Sequence, residues 1–369
     1  MRIANIDNMR KRLLSALLAV LMVLCTAPLT VLVATGTVFA GDGDVAINAT
    51  NFPDANFRAF VSTYDTTKAD GTSGTDGVLS ATELSAVTSM DCSNKGIADL
   101  TGIEYFTSLT RLDCGNYDDE TNDNTIESLD VSANINLDTL ICSGNKLTAL
   151  DVSANTRLLN LRCDGNNITS LELGSNTTLS RLYCENNALT SLDVSKNTRL
   201  EWLNCENNAL TTLDLSKNTN LGNNYGGLVC SNNSLTSLDV SNGIFDLPDR
   251  TFECNDNTYK ITPVDGKYDL KNLPEGFNLS KASNWKGAKV ENGILIIDKG
   301  ADKVTYTYDC GDEMTAEFTL LFDKSDDAKS PKTGDNDNLI LWLALLLVCG
   351  GATGVATGVG LSRNRKCSR

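Results

Sequence analysis

The chain has 369 residues, a formal charge of −16, twelve cysteines and no histidine. Without histidine there is no Ser-His-Asp or Cys-His pair and no imidazole-held zinc, which closes the commonest hydrolytic routes. The acidic balance argues against nucleic acid and anionic lipid as partners.

Arg2, Arg10, Lys11 and Arg12 precede an apolar run from Leu13 to Val33, and Val38-Phe39-Ala40 precedes the acidic Gly41-Asp42-Gly43-Asp44. That three-part pattern predicts an export signal over 1–40, cut between Ala40 and Gly41. A lipoprotein reading of Cys25 wants a small residue before it, and Leu24 stands there. Residues 41–88 then read as a helical cap with a degenerate EF-hand-like loop. Phe57, Phe60, Val61 and Tyr64 are helically spaced over 51–64, with Pro53 near the start. The run Asp76-Gly77-x-Leu79-Ser80-x-x-Glu83 looks like the second half of a calcium loop, but Thr72 and Gly74 fill the first two ligand positions. Asp65, Asp76 and Glu83 are the candidate calcium ligands, and calcium is the one cofactor considered. The competing reading makes Ser80 and Glu83 a capping box for a short helix reaching Val87.

A repeat fills 89–257. Cys142, Cys163, Cys184 and Cys205 are 21 residues apart and align as Leu-x-x-Leu-x-Cys-x-x-Asn-x-Leu, with Asn145, Asn166, Asn187 and Asn208 at the ninth position. Cys92, Cys114, Cys230 and Cys254 extend the series, with extra residues at 117–123 and 222–227. The pattern predicts a mainly β solenoid with short concave and convex strands. The fourth and sixth residues of each unit point inward, and cysteine there acts as a small apolar side chain. The ninth-position Asn satisfies backbone groups where the chain leaves the strand. The second half, as in Leu189-Thr190-Ser191-Leu192-Asp193-Val194-Ser195-Lys196-Asn197, suggests a convex strand and a turn. Oxidation of the cysteines to disulfides is the rival to a buried thiol row, but thiols stacked in register on parallel strands are poorly oriented for the bond. Nine reduced thiols, Cys310 included, suggest an organism living without oxygen.

Residues 258–323 read as a small antiparallel β unit covering the open end of the solenoid, with strands around Val304–Tyr308 and Glu317–Phe322. A linker with a sorting motif follows over 324–338, then an uncharged apolar run over 339–361 and a basic tail over 362–369 carrying Arg363, Arg365, Lys366 and Arg369. Ser330-Pro331-Lys332-Thr333-Gly334-Asp335 ahead of this span resembles the signal read by sortases, which cut between Thr and Gly, here Thr333 and Gly334. Ser330 stands where Leu is usual. A plain single-span anchor is the alternative, and either leaves the protein facing outward.

The combination resembles the leucine-rich-repeat surface proteins of clostridia and related Firmicutes, and more broadly the internalins. It is carried by Phe52-Pro53-Asp54, Gly102-Ile103-Glu104-Tyr105-Phe106, the Leu-Asp-Val-Ser units and Pro-Lys-Thr-Gly-Asp. The resemblance implies a secreted, wall-anchored, non-enzymatic protein on a Gram-positive surface, made as a single-pass membrane precursor that meets a sortase. Its partner would be a protein or glycan on a host or neighbouring bacterial surface. The candidate contacts are the outward-facing Arg111, Arg162, Arg181, Tyr183, Trp202 and Asn204, a hot-spot composition with Trp202 expected to be exposed. A structural envelope component without a specific ligand is the alternative. An enzyme built on paired carboxylates is a third reading, but no such pair stands out.

Overall fold

The computed structural model describes residues 43–116, 123–245 and 250–323. The expected export signal with its Ala40–Gly41 junction, the Thr333–Gly334 motif, the apolar run over 339–361 and the basic tail lie outside these residues. Among the described residues no helix is long and apolar enough to cross a membrane.

The cap opens with strand β1 (Val45–Ala46), antiparallel to β2 (Val78–Leu79). Helix α1 (Ala55–Val61) starts later than the expected residue 51 because the Asp54 carboxylate stands outside it, accepting from the N–H groups of Asn56 and Phe57. It buries Phe57 and Val61 and ends in a 3-10 turn at Ser62–Tyr64. Phe52 packs edge-on against Phe57 and Tyr105, joining the cap to the first coil. Helix α2 (Ala81–Ala86) begins with the complete capping box of Ser80 and Glu83.

Eight parallel strands follow in chain order: β3 (Ser89–Asp91), β4 (Arg111–Asp113), β5 (Thr139–Ile141), β6 (Asn160–Arg162), β7 (Arg181–Tyr183), β8 (Trp202–Asn204), β9 (Gly227–Val229) and β10 (Thr251–Glu253). Their register is one to one: Leu140 faces Leu161, Leu182 and Leu203 from strand to strand. The central leucines are buried, as is the cysteine two residues on. Most of these strands stop after three residues where the chain soon turns left-handed. Gly144, Gly165, Asn186, Asn207 and Asn232 all have φ between 53° and 69°, which glycine and asparagine tolerate better than other residues.

Two rows of asparagine bind coil to coil. At the ninth position, Asn187 Nδ2 donates to the carbonyls of Cys163 and Cys184, while its Oδ1 accepts from Ile168 N–H at 2.9 Å. This is the expected ladder, and a second one runs through the Leu-Asp-Val-Ser-x-Asn turns. Asn176 Nδ2 donates to Val152 and Asn155 carbonyls at 3.0 Å, and Asn155, Asn197 and Asn218 repeat the pattern. On the convex side, backbone pairing is reduced to isolated bridges at Asp130–Asp151 and Leu150–Leu171, so the expected convex strands shrink to single residues. Side-chain amides link the coils in the turns that follow.

The eight cysteines of the repeat form a continuous buried row of free thiols, as does Cys310 from the following unit. Several Sγ atoms reach the next coil's carbonyl, as Cys184 does to Asn204 at 3.4 Å. Burial pushes the thiols of Cys114, Cys142, Cys163, Cys184 and Cys205 up, and that of Cys92 to about 12. Thiolates are the reactive species, so burial slows oxidation of the row.

The C-terminal unit contains β11 (Asn257–Lys260), β12 (Lys267–Asp269), β13 (Ala282–Lys286), β14 (Ala288–Glu291), β15 (Ile294–Ile297), β16 (Lys303–Gly311) and β17 (Met314–Leu321). One sheet runs β11-β17-β16-β13 and another β12-β15-β14. Pairing is antiparallel as expected except that β11, which starts at the last ladder asparagine, lies parallel to β17. The unit closes the solenoid: buried Tyr306 Oη donates to Thr236 O at 2.6 Å, and Val240 N–H donates to Cys310 O at 2.8 Å.

Candidate functional site on the concave face

Because alternate residues of each concave strand enter the core, the first and third face outward in rows across the sheet. A third row follows the cysteines: Ser143 and Ser231, which are buried, and the half-buried Asp164, Glu185 and Glu206 between them. Where β6, β7 and β8 adjoin, these rows bring together Asn160, Arg162, Arg181, Tyr183, Trp202 and Glu185.

Their geometry is tight. The Arg162 guanidinium lies over the Tyr183 ring, 4.9 Å from its centroid, and Tyr183 stacks on Trp202 with centroids 6.0 Å apart at 30°. Arg162 also approaches Asp164, Nε to Oδ1 at 3.6 Å, which is an ion pair but not a hydrogen bond. Trp202 is half-buried rather than exposed, because the neighbouring coil's Tyr183 covers one side of the indole. Arg181, directly opposite Trp202 in the ladder, is exposed. Asn204 is half-buried and turned toward its own strand end, its Oδ1 accepting from Glu206 N–H. Arg111 is set apart on β4, paired with Asp113 at 2.9 Å.

Four polar atoms in this patch are shielded from solvent and have no hydrogen-bond partner: Trp202 Nε1, Arg162 Nε, Asn160 Oδ1 and Glu185 Oε2. Burial raises the Glu185 carboxyl, with the nearby Asp164 and Glu206 carboxylates adding and Arg162 opposing, so that it titrates at about 7. Neither Asn160 nor Glu185 stood out in the sequence, although Asp164, Glu185 and Glu206 occupy one repeat position in three successive coils. That spacing was the available signal. What the sequence does not display is the covering by Arg162, Tyr183 and Trp202.

Asp65, Asp76 and Glu83 do come together, and their oxygens face donors. Glu83 Oε1 accepts from the N–H groups of Thr66 and Thr67 and from the Thr67 hydroxyl, and Oε2 from Ser80. Asp65 accepts from the N–H groups of Asp76 and Gly77, and Asp76 from those of Ala69 and Val78. The acids tie their own loop, and the Ser80–Glu83 contacts are those of a capping box. Among the described residues no group of three or more His, Cys, Asp or Glu is placed to hold a metal ion.

No family model matches the chain. Internalin J of Listeria monocytogenes serotype 4b (strain F2365) is 42% identical to it over 83 residues. The repeat segment is internalin-like. That match spans 22% of this chain and 8% of the internalin's length. Among solved structures, an internalin C2 from Listeria monocytogenes is 23% identical with a TM-score of 0.45, covering 60% of this chain and 89% of that one. The functional domain of InlJ from the same species, described as including a cysteine ladder, is 21% identical with a TM-score of 0.25, covering 76% and 99%. These structural likenesses bear on the fold alone. The internalin-like coils here supply a rigid scaffold on which the β6–β8 patch is displayed.

Proposed function

We propose that this chain is a surface-displayed internalin-like binding module that holds a protein or glycan partner on the concave patch formed by Asn160, Arg162, Arg181, Tyr183, Glu185 and Trp202. One observation carries the reading. In a solenoid that meets its backbone polar groups through ladders, the concave face gathers four shielded, unpartnered side-chain atoms around a cation-capped aromatic stack. Leaving such groups unpaired costs about 1–3 kcal/mol each, and an occupant offering partners recovers part of that cost. Aromatic and Arg side chains are also those that dominate binding energies at interfaces. Export, sortase cutting at Thr333–Gly334 and display from a Gram-positive wall complete the proposal, and they follow from the terminal sequences rather than from the fold.

The test is adhesion of the fluorescently labelled full-length chain to a panel of host-cell and bacterial surfaces. The Trp202→Ala, Arg181→Ala double variant is expected to lose about tenfold or more in binding with an unchanged circular dichroism spectrum. Unchanged adhesion would remove the patch from the site and leave an envelope spacer as the better description.

A further inference from the structure

Resting on the reading of the concave face as a binding surface, we infer that its ligand is an uncharged saccharide seated on β6–β8. Trp202 Nε1–H donates to its hydroxyl oxygens, and Asn160 Oδ1 and Glu185 Oε2 accept from its hydroxyl hydrogens.

With Arg162 Nε facing Asp164, the remaining unpartnered atoms of the patch are one donor, Trp202 Nε1, and two acceptors, Asn160 Oδ1 and Glu185 Oε2, on three adjacent coils. An ammonium group only donates, and a carboxylate or phosphate only accepts. Either would leave part of the set shielded and unmet. A hydroxyl does both, and a sugar ring carries several at short spacing.

Charge points the same way. Although the chain as a whole carries −16, Arg162 and Arg181 in this patch stand against Asp164, Glu185 and Glu206, and Arg162 is already paired with Asp164. Little net charge is left to attract an ion of either sign. The Tyr183–Trp202 stack offers an apolar plate for the C–H face of a pyranose.

Access requires the Arg162 side chain to leave the Tyr183 ring, which lies 4.9 Å below its guanidinium. Such rotations on a solvent-facing surface take picoseconds to nanoseconds, so the backbone scaffold need not change. A peptide strand also donates and accepts, and it is the outcome that would overturn the assignment.

The experiment has two arms, both using the full-length chain. In the first, malto-, cello-, manno- and chitohexaose are titrated by calorimetry and tryptophan fluorescence against wild type, Trp202→Phe and Trp202→Ala. At least one hexaose is expected to bind wild type. Trp202→Phe, which keeps a ring but loses the N–H donor, should weaken it several-fold, and Trp202→Ala by tenfold or more. In the second arm, cell surfaces that bind the chain are treated with periodate, which cleaves vicinal diols, or with protease. Binding that depends on Trp202, is lost after periodate and survives protease supports the saccharide. Trp202-dependent binding that survives periodate but not protease overturns it while leaving the concave face as the binding surface. Binding indifferent to Trp202, or absent from every hexaose and every surface, overturns both.

Discussion

Glu83 and Glu185 show how the same side chain is driven in opposite directions by its surroundings. Burial acts to raise the Glu83 carboxyl, but hydrogen bonds from Ser80, Thr66 and Thr67 outweigh it and hold the group at about 2. Its contribution to stability is therefore complete above its ordinary 4.5 and lost as the pH falls toward 2. Glu185, raised to about 7, binds a proton in the folded chain that the unfolded chain has released, so stability falls as the pH rises from 4.5 to 7. Melting curves should thus show Glu83→Gln lowering Tm at pH 7 with little effect near pH 2. Glu185→Gln should raise Tm at pH 8 and leave it unchanged at pH 4. A Glu185→Gln melt identical to wild type at pH 8 would show that the ionised carboxylate finds solvent. Glu83 was legible because a capping box is local, with its partners three residues apart. The state of Glu185 was not, because the groups that cover it and charge it come from other coils.

At the scale of the coil, stability is passed from neighbour to neighbour, and the amide ladders are the couplings. Asn176→Ala would remove one of two donors from each of the Val152 and Asn155 carbonyls, which keep the N–H groups of Asn155 and Leu158, and is expected to cost about 1–3 kcal/mol. Urea denaturation followed by circular dichroism would measure this, and a loss below about 0.5 kcal/mol would mean that the backbone donors alone satisfy those carbonyls. The ninth-position ladder could be read from the spacing of Cys and Asn. The second asparagine was present in the same alignment, but a turn composition explained it without calling on the next coil. The convex bridges were over-read for a related reason: alternation marks which side chains go inward and says nothing of how far apart consecutive coils stand. Both ends of the eight-stranded sheet close with exposed acids, Asp91 on β3 and Glu253 on β10. Like charges at the two edges oppose pairing of one molecule's last strand with another's first.

Over the whole molecule, repeats and C-terminal unit share one core. Tyr306, Tyr308 and Phe318 are buried in the same cluster as the coil leucines and Cys254. Removing the Tyr306 hydroxyl in Tyr306→Phe should cost about 1 kcal/mol and shift a single calorimetric transition rather than split it. Two separate transitions would show that the parts unfold independently. The existence of this unit, and its place over the open end, followed from the change in residue pattern near Tyr259. The β11–β17 pair did not, because Asn257 meets Phe318 across a separation that leaves no local trace. That pair has a mechanical consequence. The first residue of β11 continues directly from the last coil, β17 is the last strand described, and the two run in the same direction. Tension between the repeats and the downstream chain would therefore pull the two strands lengthwise past each other. Their cross-links would carry the load together instead of opening one at a time.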